Sequence, residues 1–421
     1  MFVISGGLVA CGGGKSKAGK SPERTNSPSR NASVPPEWEA YRSELERLAT
    51  EGTFSGSVLI AKDGQPILAS GFGMADRIRK IPNDVATKFC VASIGKSFTG
   101  VAIARLAEQR KLAFEDPVGK HVPGLPAAIA DRVTIHHLLT HTSGMGDVLG
   151  SDTPDPAQTV TGLLPVIAAQ PLAFEPGSRF QYSNSGFITL GAVIEHVSGE
   201  SYADHMRRQV FTPAGMTDTD VRPYKPVDVP NMAHGYALVG ADGKLLPPGS
   251  STGTVKPSDA TLRDIADQVQ FANPSGAAYS TVTDLFNFAR AVSENRLLGP
   301  EMTNTLLTGK DLPNRGQGSG GPVLSGGPAP ASGGGPGGNG QAPAPGGPPS
   351  GTPSRMRYAY GFEDETLDNT RIVGHNGGTP GYGGQLDIHL GRGTIVVVLS
   401  NQDSALMPSE AIRGSREILA R

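Results

Sequence analysis

The segments of this chain that read as β-strands lie near its two ends, and that division restricts the fold more than any other feature. Residues 57–61 and 66–72 are apolar stretches on either side of Asp63-Gly64, a dipeptide that tolerates the positive backbone angles of a tight hairpin turn. Residues 371–374, 384–390 and 394–400 carry strand signatures again, the last two joined by Gly391-Arg392-Gly393. From Ser93 to about residue 290 the periodicity is helical, as in residues 97–108, 187–197 and 283–292, with Gly/Pro loops between. Two distant sets of strands that form one sheet, with a helical block inserted between them, predict an α/β sheet domain plus a mainly helical lobe and a cleft between the two.

The flanks follow from composition. Trp38, Tyr41, Leu45 and Leu48 recur at helical spacing behind Pro35-Pro36, which predicts an amphipathic first helix, and residues 409–419 read as a closing one. The folded domain is expected over residues 36–421. Residues 12–35 are Gly-, Ser-, Lys-, Asn- and Pro-rich without apolar periodicity and read as a flexible tether. Residues 314–353, almost wholly Gly, Pro, Ala, Ser, Asn and Gln, read as a disordered insertion, tolerated as a surface loop or acting as a lid near His375. At the start, Leu8-Val9-Ala10-Cys11 resembles a bacterial lipoprotein processing site, with residues 1–11 as its signal and Cys11 the lipidated residue. The apolar run there is short and no Lys or Arg precedes it, so an incidental free cysteine behind a short leader is the other reading. No run of about 20 apolar residues suggests a transmembrane helix.

Other function classes are excluded by charge and cysteine usage. With 37 basic and 39 acidic residues and no long run of one sign, there is no electrostatic footprint for nucleic acid. Two cysteines, Cys11 and Cys90, are too few for a disulfide framework and have no zinc-finger partners. His136 and His137 are adjacent, so one is expected to face the core, and neither they nor the other histidines suggest a metal site. No cofactor is expected.

Three short motifs carry chemistry. Ser93-Ile94-Gly95-Lys96 opens a helix whose Ile94, Phe98 and Val101 would face the core, so a hydroxyl and an amine three residues apart share one face near a helix N-terminus. Tyr182-Ser183-Asn184 follows the turn Phe174-Glu175-Pro176-Gly177 and is expected on a loop. A nearby Lys96 would stabilise ionised Tyr182 and let it act as a base, and the amide of Asn184 would orient either a substrate carbonyl or Lys96. His375-Asn376-Gly377-Gly378 is expected just after a strand, where Gly377 lets a substrate backbone approach and the Gly378 N–H pairs with that of Ser93 as an oxyanion hole. His389-Leu390-Gly391 repeats the His-x-Gly pattern where a strand meets a hairpin turn, and reads as structural.

In order, these motifs resemble the serine β-lactamase and penicillin-binding protein superfamily: Ser-x-x-Lys, Tyr-x-Asn, then Lys- or His-x-Gly. The stretches Leu138-Leu139-Thr140-His141-Thr142-Ser143-Gly144 and Gly374-His375-Asn376-Gly377-Gly378-Thr379-Pro380-Gly381 agree, and the likeness spans roughly residues 40–420. Class C β-lactamases, D-alanyl-D-alanine carboxypeptidases and related esterases are the most similar branches. The resemblance implies an antiparallel sheet flanked by helices with an inserted helical lobe. It further implies Ser93 as nucleophile, Lys96 and Tyr182 as the proton-transfer pair, and Asn184 and His375 as substrate contacts. Histidine in place of the lysine typical of class C enzymes weakens capture of a carboxylate. The expectation is therefore a serine hydrolase of small esters, amides or peptides, periplasmic or extracellular. Carboxypeptidase or β-lactamase activity, or a non-catalytic ligand-binding relative, are the alternatives.

Overall fold

The computed structural model describes residues 34–148, 159–240, 243–245, 261–313, 357–367, 369–403 and 409–420. Cys11, residues 12–33 of the tether and the whole of the 314–353 insertion fall outside the described residues. Among the described residues, the two ends of the domain do combine into one seven-stranded sheet. Its strands are β1 (Gly56–Lys62), β2 (Gln65–Phe72), β3 (Arg357–Tyr358), β4 (Glu363–Leu367), β5 (Thr370–Thr379), β6 (Tyr382–His389) and β7 (Thr394–Ser400). They are ordered β2-β1-β7-β6-β5-β4-β3, each pairing antiparallel. The β1–β2 hairpin turns at Asp63 and Gly64, with φ of 48° and 76°. The long-range join is β1 with β7, Gly56 opposite Ser400 through Lys62 opposite Thr394.

Both faces of this sheet are covered, so β7 reads as an unbroken apolar run rather than an alternation. Successive side chains point to opposite faces. Val396 and Val398 join Val58 and Ile60 in a core under α1 (Pro36–Thr50) and the closing helix, whereas Ile395, Val397 and Leu399 join Leu59 in the larger core of the helical lobe. The stripe Trp38, Tyr41, Leu45 and Leu48 of α1 is buried as the spacing predicts. At the centre of the lobe lies α2 (Gly95–Glu108), with Ile94, Phe98 and Val101 fully buried. It contacts α3 (Asn184–Ser198), while α4 (Val282–Ser293) packs against the sheet. Ser183 caps α3 by accepting from the Gly186 N–H, and Thr281 caps α4 by accepting from the Asp284 N–H. The closing helix α5 (Ser409–Ala420) is fastened to the sheet by Arg416, whose guanidinium donates to both Asp387 oxygens of β6 at 2.8 and 2.9 Å.

Two local expectations need correction. The His375 motif lies inside β5, which runs unbroken from Thr370 to Thr379, because Gly377 and Gly378 pair with Gly384 and Gly383 of β6. The turn comes only at Pro380-Gly381, where Gly381 has φ 78°. Neither His136 nor His137 enters the core. Both are half-buried: the Nδ1 of His137 accepts from the Thr134 N–H in a capping box, and the Nδ1 of His136 meets the Tyr360 hydroxyl. His389 ends β6 fully buried, with burial lowering its pKa to about 4.

Candidate active site

The site forms where the start of α2, the start of α3 and strand β5 meet. Ser93 sits in a single 3₁₀ turn, Ala92–Ile94, that leads into α2, and Ala92 before it holds φ 44°. A left-handed angle at a residue with a Cβ is strained, and such strain at the residue before a hydroxyl is typical of sites held by their surroundings. Those surroundings include the Ala277 N–H, which donates to the Ala92 carbonyl, and the Val91 N–H, which donates to that of Ala278.

One turn on, Lys96 is fully buried, and its Nζ reaches Ser93 Oγ at 3.2 Å, Asn184 Oδ1 at 2.8 Å and the Ser275 carbonyl at 2.6 Å. Burial lowers its pKa from 10.5 to about 7, against the smaller raising effect of Asp147. This depression has a geometric consequence. Asn184 Oδ1 and the Ser275 carbonyl only accept, so they take the two N–H groups of a neutral amine and leave its lone pair aimed at Ser93 Oγ. The Ser275 carbonyl is held there by an Asx turn in which Asn273 Oδ1 accepts from the Ser275 N–H and hydroxyl at 2.9 and 2.7 Å.

Tyr182 lies on a loop, as expected, immediately before Ser183, the cap of α3, whereas Asn184 is the first residue of that helix. The Tyr182 hydroxyl donates to Ser93 Oγ at 2.9 Å. Its pKa is raised, first by burial and then by Glu363 and Asp147, with the Ser93 hydrogen bond opposing. The expectation that Lys96 would favour ionised Tyr182 is thereby corrected: burial and the two carboxylates outweigh the Ser93 hydrogen bond, and the phenol keeps its proton. Asn184 takes the second of its two expected roles, because its Oδ1 accepts from Lys96 and its Nδ2 donates to Asp147 at 2.7 Å.

His375 is brought near but turned inward. It is 1% exposed, its Nδ1 donates to the Asn376 carbonyl, and its Nε2 accepts from the Tyr358 hydroxyl at 2.9 Å. Burial and the Lys96 charge lower its pKa to about 3, so it is neutral at pH 7. Both ring nitrogens are therefore engaged by the protein itself, one by Asn376 and one by Tyr358. Gly377 likewise makes room for the protein itself: a methyl group built there would overlap the Val91 carbonyl oxygen and lie 3.1 Å from the Ser93 amide nitrogen. That close approach brings the backbone of β5, and with it Gly378, against the Ser93 turn.

Sequence reasoning missed Ser275, Asp147 and Tyr358. The Asn273-Pro274-Ser275-Gly276 string was a turn signal that could have drawn attention to Ser275. Asp147 and Tyr358 adjoin low-complexity or loop sequence and carried none. Among the described residues no group of three or more His, Cys, Asp or Glu could hold a metal, Cys90 is buried and unpaired, and no helix is long and apolar enough to cross a membrane.

A family model described as Beta-lactamase matches residues 42–417. Penicillin-binding protein 4* of Bacillus subtilis (strain 168) is 27% identical over 384 residues, covering 89% of this chain and 74% of that protein. The solved structure of a penicillin binding protein from Bacillus halodurans superposes with a TM-score of 0.67 at 26% identity, covering 89% of this chain and 98% of that one. The D-amino acid amidase from Ochrobactrum anthropi SV3 shares the fold at 21% identity, with a TM-score of 0.68 over 90% of this chain and 98% of its own.

Proposed function

Because the chain belongs to the Beta-lactamase family, whose relatives here are penicillin-binding proteins and D-amino acid amidases, we propose that it is a serine hydrolase that cleaves esters or amides through an acyl-enzyme on Ser93. The observation that carries this reading is the position of the Ser93 hydroxyl between Lys96 Nζ and the Tyr182 hydroxyl, at 3.2 and 2.9 Å. Neutral Lys96 takes the Ser93 proton as Oγ attacks the substrate carbonyl carbon. The oxyanion accepts from the N–H groups of Ser93 and Gly378. Collapse expels the alkoxide or amine, which takes the Tyr182 proton, and the Lys96 ammonium then reprotonates the tyrosine. Water repeats the sequence on the acyl-enzyme, giving its proton to Lys96 and releasing the acid.

Small neutral esters and peptide-like amides suit this site better than substrates bearing a carboxylate beside the scissile bond, because neutral His375 provides no fixed positive charge for one. Cleavage of a D-amino acid amide is the amide arm of the same reading, and D-Ala-D-Ala peptides and β-lactams, which carry a carboxylate beside the scissile bond, are its weaker arms. Export to the periplasm or cell exterior, with tethering through lipidated Cys11, completes it. Mass spectrometry of the membrane fraction would show a diacylglycerol adduct on Cys11, and an unmodified residue rejects the tether.

The mechanism is tested by a chromogenic panel of p-nitrophenyl esters, a D-alanine p-nitroanilide and nitrocefin, each run beside Ser93→Ala. Wild type is expected to turn over the ester or anilide at least about 10-fold faster than nitrocefin, and Ser93→Ala to lose turnover of all three by about 10³-fold or more. Retained turnover in the variant removes Ser93 from the chemistry.

A further inference from the structure

We propose that His141 is a positioning residue that brackets Tyr182 and fixes where its hydroxyl meets Ser93; the proposal rests on the serine hydrolase reading above. His141 is bonded to the residues on both sides of that tyrosine. Its carbonyl accepts from the Gln181 N–H at 2.8 Å, and its ring Nδ1 accepts from the Ser183 N–H at 3.1 Å. Between these two bonds, its ring lies over the Tyr182 ring itself, centroids 4.3 Å apart at 31°. Its surroundings are aromatic: Phe187 at 5.1 Å and Tyr358 at 4.5 Å, the latter holding His375 through its hydroxyl. The main chain of His141 is in the left-handed region, φ 58°, which a non-glycine residue occupies at a cost.

A histidine fits this position for two separable reasons. The Ser183 N–H needs an acceptor, so Nδ1 must be unprotonated; a charged imidazolium would have a donor there and would break the bond. Burial above all, with smaller contributions from Lys96 and His375 when they are protonated, holds the ring well below its ordinary pKa, which favours the unprotonated acceptor. Second, the flat ring fills the space over Tyr182. The Nε2 atom has no partner among the described residues, so the ring is retained in spite of a buried polar atom and not because of it. Asparagine keeps the acceptor, since its Oδ1 sits close to where Nδ1 was, and it also tolerates a left-handed backbone. Phenylalanine keeps the plate and loses the acceptor.

The test compares His141→Asn, His141→Phe and His141→Ala with wild type and with Ser93→Ala, on the best ester of the panel. The measurements are kcat, KM and the pH profile, with circular dichroism melts alongside. Misplacement of a proton donor by a fraction of an ångström predicts that His141→Phe and His141→Ala lose about 10- to 100-fold in kcat, with KM within about threefold. His141→Asn is expected to recover most of that loss. Because the proposal gives His141 a positioning role and no proton transfer, the acidic limb of the profile is expected to stay at the same pH in the asparagine variant. Equal kcat losses in asparagine and alanine, or a loss confined to KM, overturn the proposal, and a displaced acidic limb makes His141 a titrating group instead. If the phenylalanine variant does not fold, the asparagine-to-alanine ratio decides alone. Failure of the wider mechanism is separately visible, as turnover that survives Ser93→Ala.

Discussion

At the scale of single residues, the site depends on a lysine that burial has brought to the edge of neutrality. Activity that uses the Lys96 lone pair falls as the medium is acidified through about pH 7, so kcat/KM should drop about tenfold per pH unit below that point. A profile flat down to pH 5 would remove Lys96 as the base. The same shift has a stability consequence of definite sign. A lysine whose folded pKa lies below its unfolded value of 10.5 disfavours folding increasingly from pH 10.5 down to about 7, and by a constant amount below that. The melting temperature of Lys96→Met relative to wild type should therefore rise as pH falls from 10 to 7 and then level off. Gly377→Ala tests the approach of β5 to Ser93. Its new methyl group overlaps the Val91 carbonyl, and the expected loss is about 100-fold in kcat/KM with about 1–3 kcal/mol of stability in urea denaturation. Residue types at these positions were legible in the sequence, but their surroundings were not. His375 and Tyr182 were identifiable from motif spacing, yet the inward turn of one and the retained proton of the other depend on Tyr358 and on burial, which no local pattern encodes.

Among elements, the buried Asp387–Arg416 pair decides whether α5 stays on the sheet. Asp387 is 1% exposed; burial pushes its pKa up, and Arg416, with smaller help from His389 and Gln385, still holds it below the usual 3.8. Removing one member of such a pair leaves the other charged and unpaired, so Arg416→Ala should cost about 3 kcal/mol at pH 7 by urea denaturation. That difference should shrink on acidification, as the orphaned Asp387 takes up a proton. An unchanged urea midpoint would show that the pair is replaceable. Element existence was readable where a face was apolar, as with Trp38, Tyr41, Leu45 and Leu48 of α1, or where a turn was explicit, as at Asp63-Gly64. It failed at the end of β5, because glycines that look like a turn serve here as strand residues with their neighbours packed where side chains would be. Arg416 and Asp387 had no signal at all, since partners 29 residues apart meet only once the sheet has formed.

Across the whole molecule, the 314–353 segment divides two stretches that meet again in space. The Lys310 N–H donates to the Tyr358 carbonyl at 2.9 Å, so the chain leaves and re-enters at one place. Loop-closure entropy changes slowly with length. Replacing residues 316–353 by a Gly-Ser linker of about six residues should therefore leave kcat/KM within about twofold on every substrate of the panel. A larger and substrate-dependent change would give the segment a role as a lid. The two-ended distribution of strand signals made the overall architecture legible, since it left a single sheet as the only way to bury them. The pairing of β1 with β7 bears on biosynthesis as well. A ribosome has read past codon 393 before the first strand can gain this neighbour. Until then the nascent polypeptide carries a sticky, greasy margin with unanswered amides. Premature termination upstream of that codon should thus yield insoluble debris rather than a weakly active fragment, and holdase chaperones should be needed while translation finishes.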